Sequence, residues 1–124
     1  MALYSLNDFQ TLVSASAWDY LNLYRATQTL DKLSWANADL EELLLALHTD
    51  DFQKTVPNCK INDFENQDYV DADQYEIHWD ETNCARCAYP SNKTLSFSLK
   101  IAIVTSLQGP LSGLVTFHFS GSSG

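Results

Sequence analysis

From Leu95 to Val104 the chain reads Leu-Ser-Phe-Ser-Leu-Lys-Ile-Ala-Ile-Val, with apolar and non-apolar positions alternating. A period of two marks a half-buried strand, with Leu95, Phe97, Leu99, Ile101 and Ile103 on a core side and Ser96, Ser98, Lys100 and Ala102 on the other. The turn formers Gln108-Gly109-Pro110-Leu111-Ser112-Gly113 follow, and Leu114 to Ser120 alternates again. A long antiparallel hairpin is predicted, its second strand placing Val115, Phe117 and Phe119 on the apolar side and Thr116, His118 and Ser120 on the polar side. Gln74-Tyr75-Glu76-Ile77-His78-Trp79-Asp80 has the same period and predicts a third strand, with Gln74, Glu76, His78 and Asp80 on the polar face.

The first half reads differently. Ser5 caps a helix carrying Leu6, Phe9, Leu12 and Val13, and Arg25 to Leu33 carries Ala26, Leu30 and Leu33 at helical spacing. Trp18 to Tyr24 is either a short extended piece or a helical lead-in. Asn37 is the predicted N-cap of the strongest helix, whose Leu40, Leu43, Leu44 and Leu47 recur at i, i+3, i+4 and i+7 above an acidic first turn. Core packing accounts for that leucine stripe. Thr49 to Lys54 reads as a capped turn, with Pro57-Asn58 ending whatever Phe52 begins, and Cys59 to Ala72 as an irregular acidic loop. Helices first and strands second predict an α+β domain over 1–120, with the N-terminal helices packed on one face of a C-terminal antiparallel sheet and 121–124 as a flexible tail.

Composition narrows the function. The 124 residues are 45% hydrophobic and 19% charged, the profile of one ordinary globular domain. No apolar run reaches the length of a membrane span, and Met1-Ala2-Leu3-Tyr4 lacks the basic start of a signal peptide, so the expected location is cytoplasmic and no membrane partner is expected. A net charge of −9 opposes broad nucleic-acid binding, so an RNA role needs a local basic patch. Cys84-Ala85-Arg86-Cys87 has the spacing of a zinc or redox pair that Cys59 or His78 would complete, but a single CxxC does not make a zinc module, and reduced thiols on a hairpin tip are expected instead of a metal or cofactor.

The polar face would carry His78, Lys100 and His118. Two imidazoles and an ammonium on one rigid surface suit metal-free cleavage of RNA: one group takes the 2′-hydroxyl proton, another protonates the leaving oxygen, and a cation stabilises the phosphorane-like transition state. The same pattern also produces a wet sheet face with no function.

Several segments are similar, in order, to the MqsR-type mRNA interferase toxins. These are Tyr4-Ser5-Leu6, Leu12-Val13, Asp39-Leu40 leading to Leu44-Leu45-Ala46-Leu47, Asp51-Phe52-Gln53-Lys54-Thr55 against the family's D-F-x-K-S/T, Ser98 to Ile103, and Val115-Thr116-Phe117-His118. The resemblance implies a RelE-like fold and a metal-independent endoribonuclease, the toxin of a toxin–antitoxin pair, held silent by a cognate antitoxin. It places the family's first catalytic lysine on Lys54 and its glutamine on Gln67 or Gln74. Ser98 stands where the family has a tyrosine, and His118 where it has a lysine. On this reading His118 is an acid or base, Lys54 and Lys100 hold phosphate, and Lys60, Arg86 and Lys93 extend the RNA-binding patch. The competing expectation is a non-catalytic protein-binding module of the same fold, consistent with the acidic charge.

Overall fold

The computed structural model describes residues 2–64 and 67–119, so the tail 121–124 lies outside the described residues. Over the described residues it is α+β, with three helices and a six-stranded mixed sheet. Helix α1 spans Leu6–Ser14, with the Ser5 hydroxyl accepting from the Asp8 amide at 3.2 Å as the cap pattern predicts. Strand β1 is Trp18–Tyr20, and α2 follows over Leu23–Leu33, capped by the Asn22 side chain. Both readings of the Trp18 to Tyr24 segment are therefore realised, one after the other. Helix α3 is Asn37–Ala46, and its N-cap is Ala36 rather than Asn37. The Asp39 carboxylate accepts from the Ala36 amide at 2.8 Å, while the Asn37 side chain receives the Tyr20 hydroxyl. A single 3₁₀ turn, Thr49–Asp51, leads into the sheet.

The acidic loop expected from Cys59 to Ala72 is instead a long hairpin. Strand β2, Phe52–Phe64, pairs antiparallel with β3, Gln67–Asp80. Pro57-Asn58 does not end the strand. It sits at a register shift between Val56 and Cys59, with Asn58 at φ 55°, so the chain bulges there and resumes pairing. Strand β4, Ala85–Cys87, pairs with β3, and β5, Leu95–Ser106, forms a hairpin with β6, Gly109–Phe119; the turn is Leu107-Gln108, so Gly109 to Gly113, expected in the turn, are paired strand residues instead. The order is β1-β6-β5-β3-β2. β1 lies parallel to β6, so the sheet is not wholly antiparallel.

Alternation divides the sheet into two sides. Tyr75, Ile77 and Trp79 of β3, Phe97, Leu99 and Ile101 of β5, and Leu114 and Phe117 of β6 join the main core with residues of α1, α2 and α3. On the other side Ala72, Ala102, Val104 and Val115 meet Leu21 and Ile61 in a smaller core. Val115 was expected beside Phe117. A bulge between the Lys100 and Ile101 pairings leaves Val115 without a partner residue and turns it to the second side. Gly113 lets Leu21 close that second core, because a Cβ there would stand 2.3 Å from a Leu21 methyl carbon.

Two polar clamps hold the margins. Asp73, fully buried, accepts the amides of Leu3 and Tyr4 at 3.0 and 2.8 Å and the Thr55 hydroxyl at 2.7 Å, tying the N-terminal segment to β2 and β3. Arg86 grips Asp51 with two bonds of 2.8 Å. Such a fork matches guanidinium to carboxylate in both position and direction.

Candidate nucleic-acid interface

Residues directly opposite one another share a sheet face, so the register assembles the site without further assumption. Lys54 faces Gln74, Gln74 faces Lys100, and Lys100 faces Thr116, forming one line across β2, β3, β5 and β6. Glu76, Ser98 and His118 make the next line, and His78 and Ser96 begin a third. At ordinary strand spacing the first line spans roughly 14 Å, and neighbouring lines lie about 7 Å apart. All of these residues occupy the second side of the sheet, beyond the small Leu21–Ile61 core. That side is therefore half apolar and covered, half polar.

Local bonds fix parts of this half. The Gln74 amide donates to Ser98 Oγ at 3.4 Å, and His78 Nδ1 lies 2.8 Å from Ser96 Oγ. Ser98 and Thr116 are buried, whereas Lys54 and His118 are exposed. Thr116 Oγ1 is buried with no hydrogen-bond partner.

Burial pushes the His118 imidazole below its ordinary value of 6.5, and the nearby cations Lys100 and Arg25 push it the same way. Arg25 belongs to the first turns of α2, which packs against β6. Burial raises the Cys59 thiol, against the lowering pull of Lys100 and Arg25. The two cations therefore stand within electrostatic reach of both β2 and β6. Lowering leaves His118 more fully neutral at pH 7 than a free histidine, the form that accepts a proton.

The structure thus brings Lys54, Gln74, Lys100 and His118 onto one surface, with His78 at its margin. It does not bring the others there. Gln67 pairs with Phe64 at the far end of the β2–β3 hairpin, which leaves Gln74 as the glutamine on the face. Lys60 lies over the Tyr69 ring at 5.0 Å, on the outer surface of that hairpin. Arg86 pairs across from Trp79, a core-side residue, and grips Asp51, so it lies off this surface as a structural clamp. Lys93 sits in the Ser91–Thr94 turn ahead of β5. The CxxC thiols do not converge either. Cys87 lies opposite His78, while Cys84 bonds the Glu81 carbonyl and feels Glu42 and Asp39. Cys59 borders the small core, and no three metal-ligating side chains meet among the described residues.

Four members of the polar half carry no role in the sequence reading: Arg25, Glu76, Ser98 and Thr116. The period of two from Gln74 to Asp80 places Glu76 between Gln74 and His78, so that residue was within reach of pattern reasoning. Arg25 comes from a different element and is joined to the face only by the packing of α2.

No family model, curated protein or solved structure matches the chain. Among the described residues no helix is long and apolar enough to cross a membrane.

Proposed function

We propose that the protein is a metal-independent endoribonuclease that works on the polar half of the second sheet side, with the RelE-like disposition of helices on one face of a sheet and RNA on the other. The observation that carries this reading is the position of His118. It stands in line with Ser98 and Glu76, diagonal to Lys100, with its pKa held down by burial and by two cations. In a sheet such diagonal neighbours are about 7–8 Å apart, close enough for both side chains to reach one phosphodiester.

The chemistry is transesterification. Neutral His118 takes the proton of a ribose 2′-hydroxyl as its oxygen bonds to phosphorus, and the bond from phosphorus to the 5′-oxygen breaks. The Lys100 ammonium stabilises the charge that develops on the phosphoryl oxygens and supplies the proton to the departing oxygen. Lys54 and Gln74, in line with Lys100, hold the neighbouring stretch of backbone. Local concentration of Lys54, Lys100 and Arg25 on this half offsets a net charge of −9 that would otherwise repel RNA. The products are a 2′,3′-cyclic phosphate and a free 5′-hydroxyl. On this reading the protein is the toxin of a toxin–antitoxin pair, and the acidic residues Asp39, Glu42, Asp50 and Glu81, all exposed, suit a basic cognate antitoxin.

End-group analysis of RNA incubated with the purified chain in EDTA tests the proposal. Fragments ending in cyclic phosphate support it, and fragments ending in 5′-phosphate contradict the mechanism. The strong net charge favours a second reading, a protein-binding module. Partner binding unaffected by Lys54→Ala and His118→Ala, with RNA left intact, supports that alternative.

A further inference from the structure

The Thr116 hydroxyl is anomalous for a closed core: 5% of the residue is exposed, and Oγ1 has no partner. Buried hydroxyls are ordinarily hydrogen-bonded, and one left unpaired calls for an explanation. Its surroundings supply one. Lys100 lies directly opposite on β5, and α2, bearing Arg25, packs against β6. Among the described residues neither Arg25 nor Lys100 enters an ion pair, although acidic side chains outnumber basic ones by 16 to 7 in the chain. Of the β3 carboxylates on this side, Glu76 lies in the neighbouring line, with Ser98 between it and His118, and Asp80 lies beyond His78, where it accepts from Asn83.

The geometry points to an oxyanion subsite in which Lys100, Arg25 and the Thr116 hydroxyl together hold one phosphate group beside His118. The hydroxyl, closed to solvent in the ligand-free fold, donates to a phosphoryl oxygen once the Lys100 side chain opposite it swings aside, and so gains the partner it lacks, while the two cations neutralise the charge. The subsite rests on the reading of this half as an RNA surface and adds to it the residues that grip the phosphate. It also links binding to protonation: a bound phosphate offsets the two cations that push the His118 pKa down.

The test uses the full chain, with inorganic phosphate as probe and chloride at matched ionic strength as control, following the His118 ring protons by NMR across pH. Phosphate is expected to raise the His118 pKa, and chloride to leave it where it was. Thr116→Val and Arg25→Gln are each expected to weaken phosphate binding about tenfold or more, the effect of losing a charge-assisted bond, while Thr116→Ser keeps it. A His118 pKa indifferent to phosphate overturns the subsite, as does equal affinity in all three variants. Displacement of phosphate by a short RNA identifies a polymer phosphodiester as the ligand, and failure of RNA to compete identifies a free phosphate; both retain the subsite. Phosphate binding with RNA left uncut keeps the subsite and removes the nuclease. RNA cleavage without phosphate binding removes the subsite and keeps the nuclease.

Discussion

Replacing Thr116 with valine stabilises the protein in phosphate-free buffer. The two side chains have nearly the same shape, and both are branched at Cβ, so the change costs little χ1 entropy. What changes is the hydroxyl, which in Thr116 is buried without a hydrogen bond. Burying an unpaired hydroxyl costs about 1–3 kcal/mol on the mutational scale, and the methyl that replaces it in valine bears no such penalty. A gain of about 1–2 kcal/mol is expected. For a domain of this length that is a rise in Tm of roughly 3–8 °C. Urea unfolding followed by tryptophan fluorescence gives the free energy directly, with the slope of the transition expected to stay constant. Saturating phosphate should narrow the gap, because it stabilises the threonine form by mass action and the valine form less. A valine variant less stable by about 1 kcal/mol or more would refute the reasoning, since the hydroxyl would then have a partner that folding depends on.

Lys54→Ala and His118→Ala should each leave the fold intact, both residues being exposed, and His118→Ala should slow RNA cleavage by about 10²–10⁴, the usual contribution of a general base, measured by gel quantification of a labelled RNA. Because the folded pKa of His118 lies below its ordinary value, the unfolded chain takes up the proton first as pH falls. Its contribution to stability should therefore drop as pH falls from about 6.5 through the folded pKa and then level off, and Lys100→Gln should shrink that drop, in urea titrations run at a series of pH values. Arg86→Ala strands the Asp51 carboxylate, whose side chain is 9% exposed, and should cost about 2–4 kcal/mol while leaving phosphate affinity unchanged. Gly113→Ala drives a methyl into Leu21 and should lower Tm by at least several degrees, with circular dichroism as the readout.

The strands whose side chains alternate cleanly were legible in the sequence. β5 and the second half of β3 each have one side in the main core, so period two shows in the residue types, and the Lys100 and His118 placement followed from it. The same logic failed at Val115, because a bulge shifts side-chain parity without any glycine or proline to mark it. It failed more broadly over β2 and the start of β3. There the inward residues Cys59, Ile61, Val70 and Ala72 serve only the small second core, while Lys60, Asp68 and Asp71 dilute the pattern. Arg86 looked like a free cation because its partner, Asp51, is 35 residues away, and the pairing depends on tertiary contact. Arg25 was missed for the same reason, and for Thr116 the sequence showed the polar side but not the unpaired hydroxyl. Their significance lies in what they lack as partners, and a sequence does not show that.

Cleavage of a long single-stranded RNA in EDTA by the purified chain, beside His118→Ala and Lys100→Gln prepared in the same way, decides whether this sheet face cuts RNA. Discrete fragments are expected from the unmodified chain and a loss of about a hundredfold or more in both variants, with unfolding midpoints showing all three folded. Intact RNA in every lane, or equal cleavage in all three, would contradict it.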